Sequence, residues 1–548
     1  MPILNVETSG EFGIVDDLLP HQLPPNAWSA GKNIRFNDGK AVKFSGHEQF
    51  FDAGAAVTAG LGTNWDGGAT EQVYHLLPVA EGTAYYWIFC GLKNVGVFNR
   101  ATNTCEEITR TAGVGDYTAT DANVDWTSCI IGGIPVINNG VDAPQMWVDP
   151  SFGAADKLTD LTSFSSFATR CGAMRVYKNY LIALDVTKAA GGGTRYPLLV
   201  KWSDSSALGG VPLSWDETDQ TTDAGETELP GAKTDISTGV CLDCLTLRDS
   251  NIIYRDDSVW SMNFVGGTFV FAFRQIYASQ GMLARRCMAE YEGRHFVVGQ
   301  NDVFIHDGSN FESIIDVKRK DKLYSDIEPT YVDRTYVFAN YPATEMWICY
   351  VQSGTSATWP NKAMVWNWRH KTWGVRDLPN KTAYITGGIV DTTVSTDIWS
   401  TPDGNWDSAD WENLEWGALG YSPASQSPCM ATDGIVYKGD STQQFAGVSM
   451  TSYVERSDIP LGEQDGFMRI KAIYPRISGS PVNITVGSHM APGGAIKEQA
   501  SVLFTPGTSQ KVDARLTGTH AYIKISSSDA ASWEMSGYDI EYDFISRR

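Results

Sequence analysis

Short apolar runs separated by turn residues recur along nearly the whole chain, and this rhythm restricts the possible folds more than any other feature. In HFVVGQNDVFIHDG (His295–Gly308), Phe296–Val298 and Val303–Ile305 flank Gly299-Gln300-Asn301-Asp302. β-Branched and aromatic side chains suit a pleated, half-buried surface, and Gly, Asn and Asp supply the turn, so the stretch predicts a β-hairpin. The same pattern is read at Tyr85–Cys90 with Val95–Phe98, at Pro135–Ile137 with Gln145–Val148, and at Asn251–Tyr254 with Ser258–Phe264. It returns at Thr335–Ala339 with Met346–Val351 and at Ala363–Trp368 with Trp373–Asp377. A strand–turn–strand unit cannot bury both faces alone. Radial stacking as propeller blades buries them; two stacked sandwiches are the alternative. Blade repeats run at about 40–50 residues, which leaves room for roughly five to seven irregular blades in residues 51–450.

The length, 548 residues, exceeds one ordinary core, and 53 glycines with few helix-forming runs point to an all-β protein. The texture changes near Thr451. Arg469–Ile477, Val482–Val486, Ala500–Phe504, Ala521–Ser526 and Tyr538–Phe544 read as alternating strands, which predicts a small β-sandwich-like domain over 451–548. Residues 1–50 read as an arm. It consists of a Pro-rich extended stretch, LLPHQLPPNAW (Leu18–Trp28), followed by a hairpin around Asn37-Asp38-Gly39.

The formal charge of −22 argues against a protein that grips a phosphate backbone, where cations supply the affinity. The first twenty residues lack the basic and apolar regions of a signal peptide, and no apolar run reaches transmembrane length. Nine scattered cysteines, an odd number, read as reduced core residues of a chain assembled in a cytosol. Cys241 and Cys244 have CxxC spacing, but a zinc site needs four ligands, and strand residues three apart are expected on opposite faces.

Other polar clusters are also read as structural. His295, Asp302, His306 and Asp307 lie outside any HExxH, GxSxG or P-loop framework and read as polar strand and turn residues. Ser400–Trp406 resembles the Asp-box turn of sialidase-like propellers, one residue short, and Asp407–Glu415 reads as a solvated acidic loop. The basic run Lys318-Arg319-Lys320-Asp321-Lys322 reads as a solvated or partner-docking loop.

Several longer phrases carry a family resemblance. LPPNAWSAGKNIRFNDGKAVKFSG (Leu23–Gly46), Tyr196–Asp204 with Leu213–Asp216, Leu247–Gly308 and WEMSGYDIEY (Trp533–Tyr542) resemble the tail nozzle proteins of short-tailed bacteriophages, also called tubular or packaged-DNA stabilisation proteins. The resemblance implies a non-enzymatic virion protein without cofactor or metal. It implies a ring of copies, a homo-hexamer, below the portal and adaptor and beside tail fibres or spikes, which closes the DNA channel and conducts genomic DNA at ejection. Six copies of −22 carry −132, a sign that keeps DNA a non-sticking cargo. Leu23, Pro24, Pro25 and Trp28 of the arm, with Lys318, Arg319, Lys320 and Lys322, are the expected partner contacts. The alternative is a glycan-binding or glycoside-cleaving propeller of a tail fibre or secreted enzyme; a bacterial interaction scaffold is a third reading.

Overall fold

The computed structural model describes residues 2–53, 72–81, 84–100, 102–110, 117–148, 157–190, 193–207, 209–231, 239–267, 269–390, 426–462 and 466–547. The Asp-box-like Ser400–Trp406 and the acidic run Asp407–Glu415 lie outside them.

Among the described residues six four-stranded antiparallel sheets follow one another in sequence. Their first strands are His75–Glu81, Thr127–Ile131, Ala168–Tyr177, Cys241–Leu247, Met288–Tyr291 and Tyr336–Asn340. A seventh sheet begins with Tyr384–Ile389 and continues through Gln426–Ala431 and Ile435–Gly439. First strands pack against one another in order from the second sheet to the seventh, and the seventh meets the first. The sheets are therefore seven blades around one axis, and the chain is a β-propeller. The fourth strand of blade 7 comes from far upstream: His47–Asp52 pairs antiparallel with Ile435–Gly439, from Ile435↔Asp52 to Gly439↔His47. One blade thus contains both ends of the propeller sequence, which closes the ring.

The predicted hairpin forms the middle of blade 5. Arg294–Val298 and Val303–His306 pair with Val298 opposite Val303 and His295 opposite His306. Val297, Val298, Val303 and Phe304 are wholly buried.

After the propeller, two six-stranded sheets enclose one core. Gly466–Gly479, Val512–Gly518 and Trp533–Arg547 form most of one sheet. Ser452–Pro460, Val482–His489 and His520–Ser527 form most of the other. Residues 1–50 are not a separate arm. Ile3–Glu7 and Lys40–Lys43 pair with the strand Trp533–Arg547, and Ala30–Lys32 pairs with Ser452–Pro460. Val6, Ile14, Trp28, Ile34 and Phe36 enter the sandwich core beside Ile470, Ile523 and Ile540.

The Pro-rich stretch follows the same rule. Leu23 and Trp28 are buried rather than displayed, and Trp28 Nε1 donates to the Ser9 carbonyl at 2.5 Å. Arg456 donates to the carbonyls of Pro20 (2.6 Å) and Leu23 (3.0 Å), and Tyr538 Oη donates to that of Pro25. Extended backbone exposes its carbonyls, and here the chain's own sandwich supplies the donors. Pro25, Leu18 and Leu19 are left exposed.

Two further expectations are corrected. The basic run lies on an α-helix, Val317–Asp326, rather than a loop; Arg319 and Leu323 are its buried face, and no Gly or Pro interrupts it. Cys241 and Cys244 do not face opposite sides. A β-bulge between Cys241 and Asp243 resets the alternation, and both thiols enter the core between blades 3 and 4. Of the nine cysteines eight are buried and Cys129 is half-buried. No helix among the described residues is long and apolar enough to cross a membrane.

Candidate functional site

First strands of a propeller line its axis, so their polar residues meet there. Arg175 of blade 3 forks onto Asp243 of blade 4 at 2.8 and 2.7 Å and donates to the Ser128 carbonyl of blade 2 at 2.9 Å. His75 of blade 1 bonds Ser128 Oγ at 2.8 Å and lies against the Tyr384 ring of blade 7, with centroids 4.4 Å apart. Arg286, which leads into blade 5, sits 5.3 Å from the Tyr384 ring and 5.9 Å from that of Tyr336 in blade 6. Burial, then Arg286 and Arg175, hold His75 well below the usual histidine range, so it is neutral. Side chains from all seven blades thus cross the axis, and no duplex can thread a single propeller.

At one mouth of the axis lies a cavity of about 240 Å³, lined by five arginines and four aspartates. The residues come from the turns that lead into first strands (Asp121, Asp125, Arg285, Arg286, Asp333, Arg334) and from blade 3 (Arg170, Asp185, Arg195). Arg195 forks onto Asp185 at 2.6 and 2.9 Å. Arg285 reaches Asp125 at 2.8 Å and Asp185 at 3.8 Å, and Arg286 reaches Asp125 at 3.1 Å. Arg334 pairs with Asp121 at 3.0 Å while its guanidinium lies 3.9 Å above the Trp359 ring. Burial holds the Asp333 carboxyl above the usual range, against the pull of neighbouring Arg334. Gly172 makes room for the cluster: a Cβ there would sit 2.6 Å from Arg285 Nη2 and 2.7 Å from Asp185 Oδ2. The arrangement suits recognition of an anion. Guanidiniums present planar forks of donors, and their carboxylate partners fix the direction of each fork.

The sequence reading missed this site. In an acidic chain, paired charges such as Asp333-Arg334 or Arg285-Arg286 look like solvated turn residues. Their one shared signal is position, just before a strand that begins a blade.

Of the basic residues singled out from sequence, Lys318, Arg319 and Lys322 have partners within the chain. Arg319 donates to the Ile14 carbonyl and lies 3.3 Å from Asp316 and 3.6 Å from Asp16; Lys322 pairs with Asp16 at 2.9 Å. Lys318 donates to the Asp17 carbonyl. The basic helix therefore holds residues 14–17, while the sandwich holds 20–28. Lys320 is half-buried on the same helix.

His295 and His306 are joined by a buried hydroxyl. The Gly308 N–H points to His306 Nδ1 at 3.3 Å, so His306 Nε2 carries the proton and donates to Tyr254 Oη at 2.6 Å. Tyr254 then donates to His295 Nδ1 at 2.7 Å, and His295 Nε2 donates to the Thr246 carbonyl at 3.0 Å. This assignment satisfies every group with both rings neutral. It ties blade 4 to blade 5. Burial pushes His295 down to about 4 and His306 down to about 3, the latter also feeling His295.

A pH dependence follows. Unfolded histidines titrate near 6.5, so below that pH the unfolded chain binds protons that the folded chain refuses, and stability falls until the folded values are reached. Each ring contributes a loss of about 2 kcal/mol between pH 7 and pH 5. Urea unfolding of His306→Asn should show a shallower pH dependence than the parent chain over that interval; equal slopes would remove the ring from the account.

No protein family's sequence profile matches the chain, and no curated protein sequence does. Among solved structures it is similar to the extracellular domain of a hybrid two-component system from B. thetaiotaomicron. That pair shows 11% identity and a TM-score of 0.33 over 59% of this chain, and the chain spans only 37% of that one. The AfRom2 CNH domain is 8% identical, with a TM-score of 0.34 over 67% of this chain and 95% of the other. The Pan2 WD40 domain of Neurospora crassa is 10% identical, with a TM-score of 0.25 over 67% and 75%.

Proposed function

We propose that the chain is a structural protein of a phage tail. Copies of it form a ring, a hexamer, that closes the DNA channel, retains the packaged genome and conducts it during ejection. The observation that carries this reading is where the family-like phrases fall. Leu23–Gly46 and Trp533–Tyr542 lie at opposite ends of the sequence, yet they pair in one sheet (Ala41↔Met535, Val42↔Glu534), and Tyr538 bonds the Pro25 carbonyl. The resemblance therefore follows a single folded unit. The crossed axis adds a condition: DNA would pass between protomers, along a wall of net negative charge. The adaptor above and fibres or spikes alongside are the partners this reading requires, in a virion assembled in the host cytoplasm.

The alternative, a glycan-binding or glycoside-cleaving propeller, has the charged axial cavity in its favour. Negative-stain images of the purified chain should show closed rings of copies. A monomer that releases reducing sugar from host polysaccharide would instead select the alternative.

A further inference from the structure

The cavity at the mouth of the axis has an unbalanced charge. Five arginines against four aspartates leave one positive charge in excess, inside a chain whose formal charge is −22. The pairing is uneven as well. Asp185, Asp125 and Asp121 are each held by arginines at 3.1 Å or less. Arg170 donates to the Gly140 carbonyl at 2.9 Å and has no carboxylate partner among the described residues. Arg286, lining the same cavity, has its Nε–H buried without an acceptor. A buried donor left unmet is costly, and a guanidinium without a counter-ion in a partly enclosed site more so. An oxygen acceptor carrying negative charge would supply the counter-ion that Arg170 lacks, whereas the Arg286 Nε–H has no surface open to the cavity and adds only its charge nearby.

We propose that this cavity binds a small oxyanion, a carboxylate or a phosphate, beside Arg170, with the surrounding Asp–Arg pairs holding the other guanidiniums in place. Its volume equals roughly eight waters at about 30 Å³ each. That admits a phosphate, a short carboxylic acid or one acidic side chain of a second protein. A divalent cation is the wrong sign, and no group of metal-ligating side chains occurs among the described residues.

The test is equilibrium dialysis of the full chain against labelled inorganic phosphate and, separately, labelled acetate, at an ionic strength fixed with sodium chloride. One equivalent of at least one anion should bind saturably, and Arg170→Gln should weaken that binding about ten-fold to a hundred-fold. Preference for acetate points to a carboxylate as the natural occupant, and preference for phosphate to a free phosphate. Should Arg170→Gln lose the native far-UV spectrum, Arg170→Lys keeps the charge, loses the fork, and is held to the same criterion of weakened binding. Absence of saturable binding of either anion, or equal affinity in parent and variant, overturns the proposal.

Discussion

A chain lacking residues 1–52 should fail to fold, with soluble expression lost or the product digested by trace protease under conditions that leave the full chain intact. The deletion removes the outer strand His47–Asp52 of blade 7. His47, there, sits between the rings of Tyr437 and Phe445, each 4.7 Å away, and Phe51 is buried between blades 7 and 1. The same deletion takes Val6, Ile14, Trp28, Ile34 and Phe36 out of the sandwich core. At about 1.5–3 kcal/mol for each large apolar side chain, the loss is on the order of 10 kcal/mol. That is comparable with the whole stability of a domain, about 5–15 kcal/mol. A truncated chain with a native-like spectrum and one cooperative unfolding transition would show that closure by this strand is dispensable. A shorter deletion, residues 1–28, keeps the closing strand and should damage the sandwich, and it also takes Ile14 and Asp16 away from the buried Arg319 of the basic helix. Any test of the N-terminal segment as a docking element must therefore monitor the sandwich too.

The second large effect is expected at Asp440. Its carboxylate accepts from Arg35 Nη2 (2.9 Å), Arg376 Nη1 (2.9 Å) and Asn340 Nδ2 (2.8 Å), while Arg35 also forks onto Glu345 at 2.6 and 3.1 Å. Two cations and two anions balance at the junction of the N-terminal hairpin, blade 6 and blade 7. Arg376 is fully buried, with Nε and Nη2 lacking acceptors, and leans on the Trp347 ring at 4.4 Å. Burial alone would raise the Asp440 carboxyl, but Arg35 and Arg376 hold it down to about 2, whereas burial keeps Glu345 above its usual range despite Arg35. Asp440→Ala strands Arg376 as a buried, unpaired charge, a change that costs about 3–5 kcal/mol. Asp440→Asn, which keeps one acceptor, should cost less. Chemical denaturation showing a loss below about 1 kcal/mol for the alanine variant would mean that water reaches the junction and screens it.

The sequence displayed some of this and concealed the rest, for physical reasons. The hairpin at His295–Gly308 was legible because its register is set locally, by a turn and by alternation over a few residues. Seven blades fell within the expected range, yet insertions such as the stretch between Trp202 and Gly225 in blade 3 blur the period. HEQFFD (His47–Asp52) carries no local mark of its partner nearly four hundred residues downstream, so closure could not be read. Trp28 in a Pro-rich stretch reads equally as a displayed anchor or a core residue, and only the proximity of the sandwich decides. The basic run looked like a loop because its buried face includes Arg319, a residue that hydropathy counts as polar. The axial cavity is the extreme case. Its charges come from several turns, each unremarkable alone, and their convergence is a property of the ring.

The closure by His47–Asp52 also governs the order in which the molecule can be completed during synthesis. That strand leaves the ribosome early, but its partner Ile435–Gly439 follows only after six blades have been made. Ile3–Glu7 waits longer still, for Trp533–Arg547. Until then the early segments have no edge to pair with, and their apolar side chains, Phe51 and Trp28 among them, stay available to other chains. Such distant pairings make for slow folding. A nascent chain stalled before residue 435 therefore holds a row of blades with two open edges, the state in which neighbouring polysomes stand the greatest risk of joining their products edge to edge.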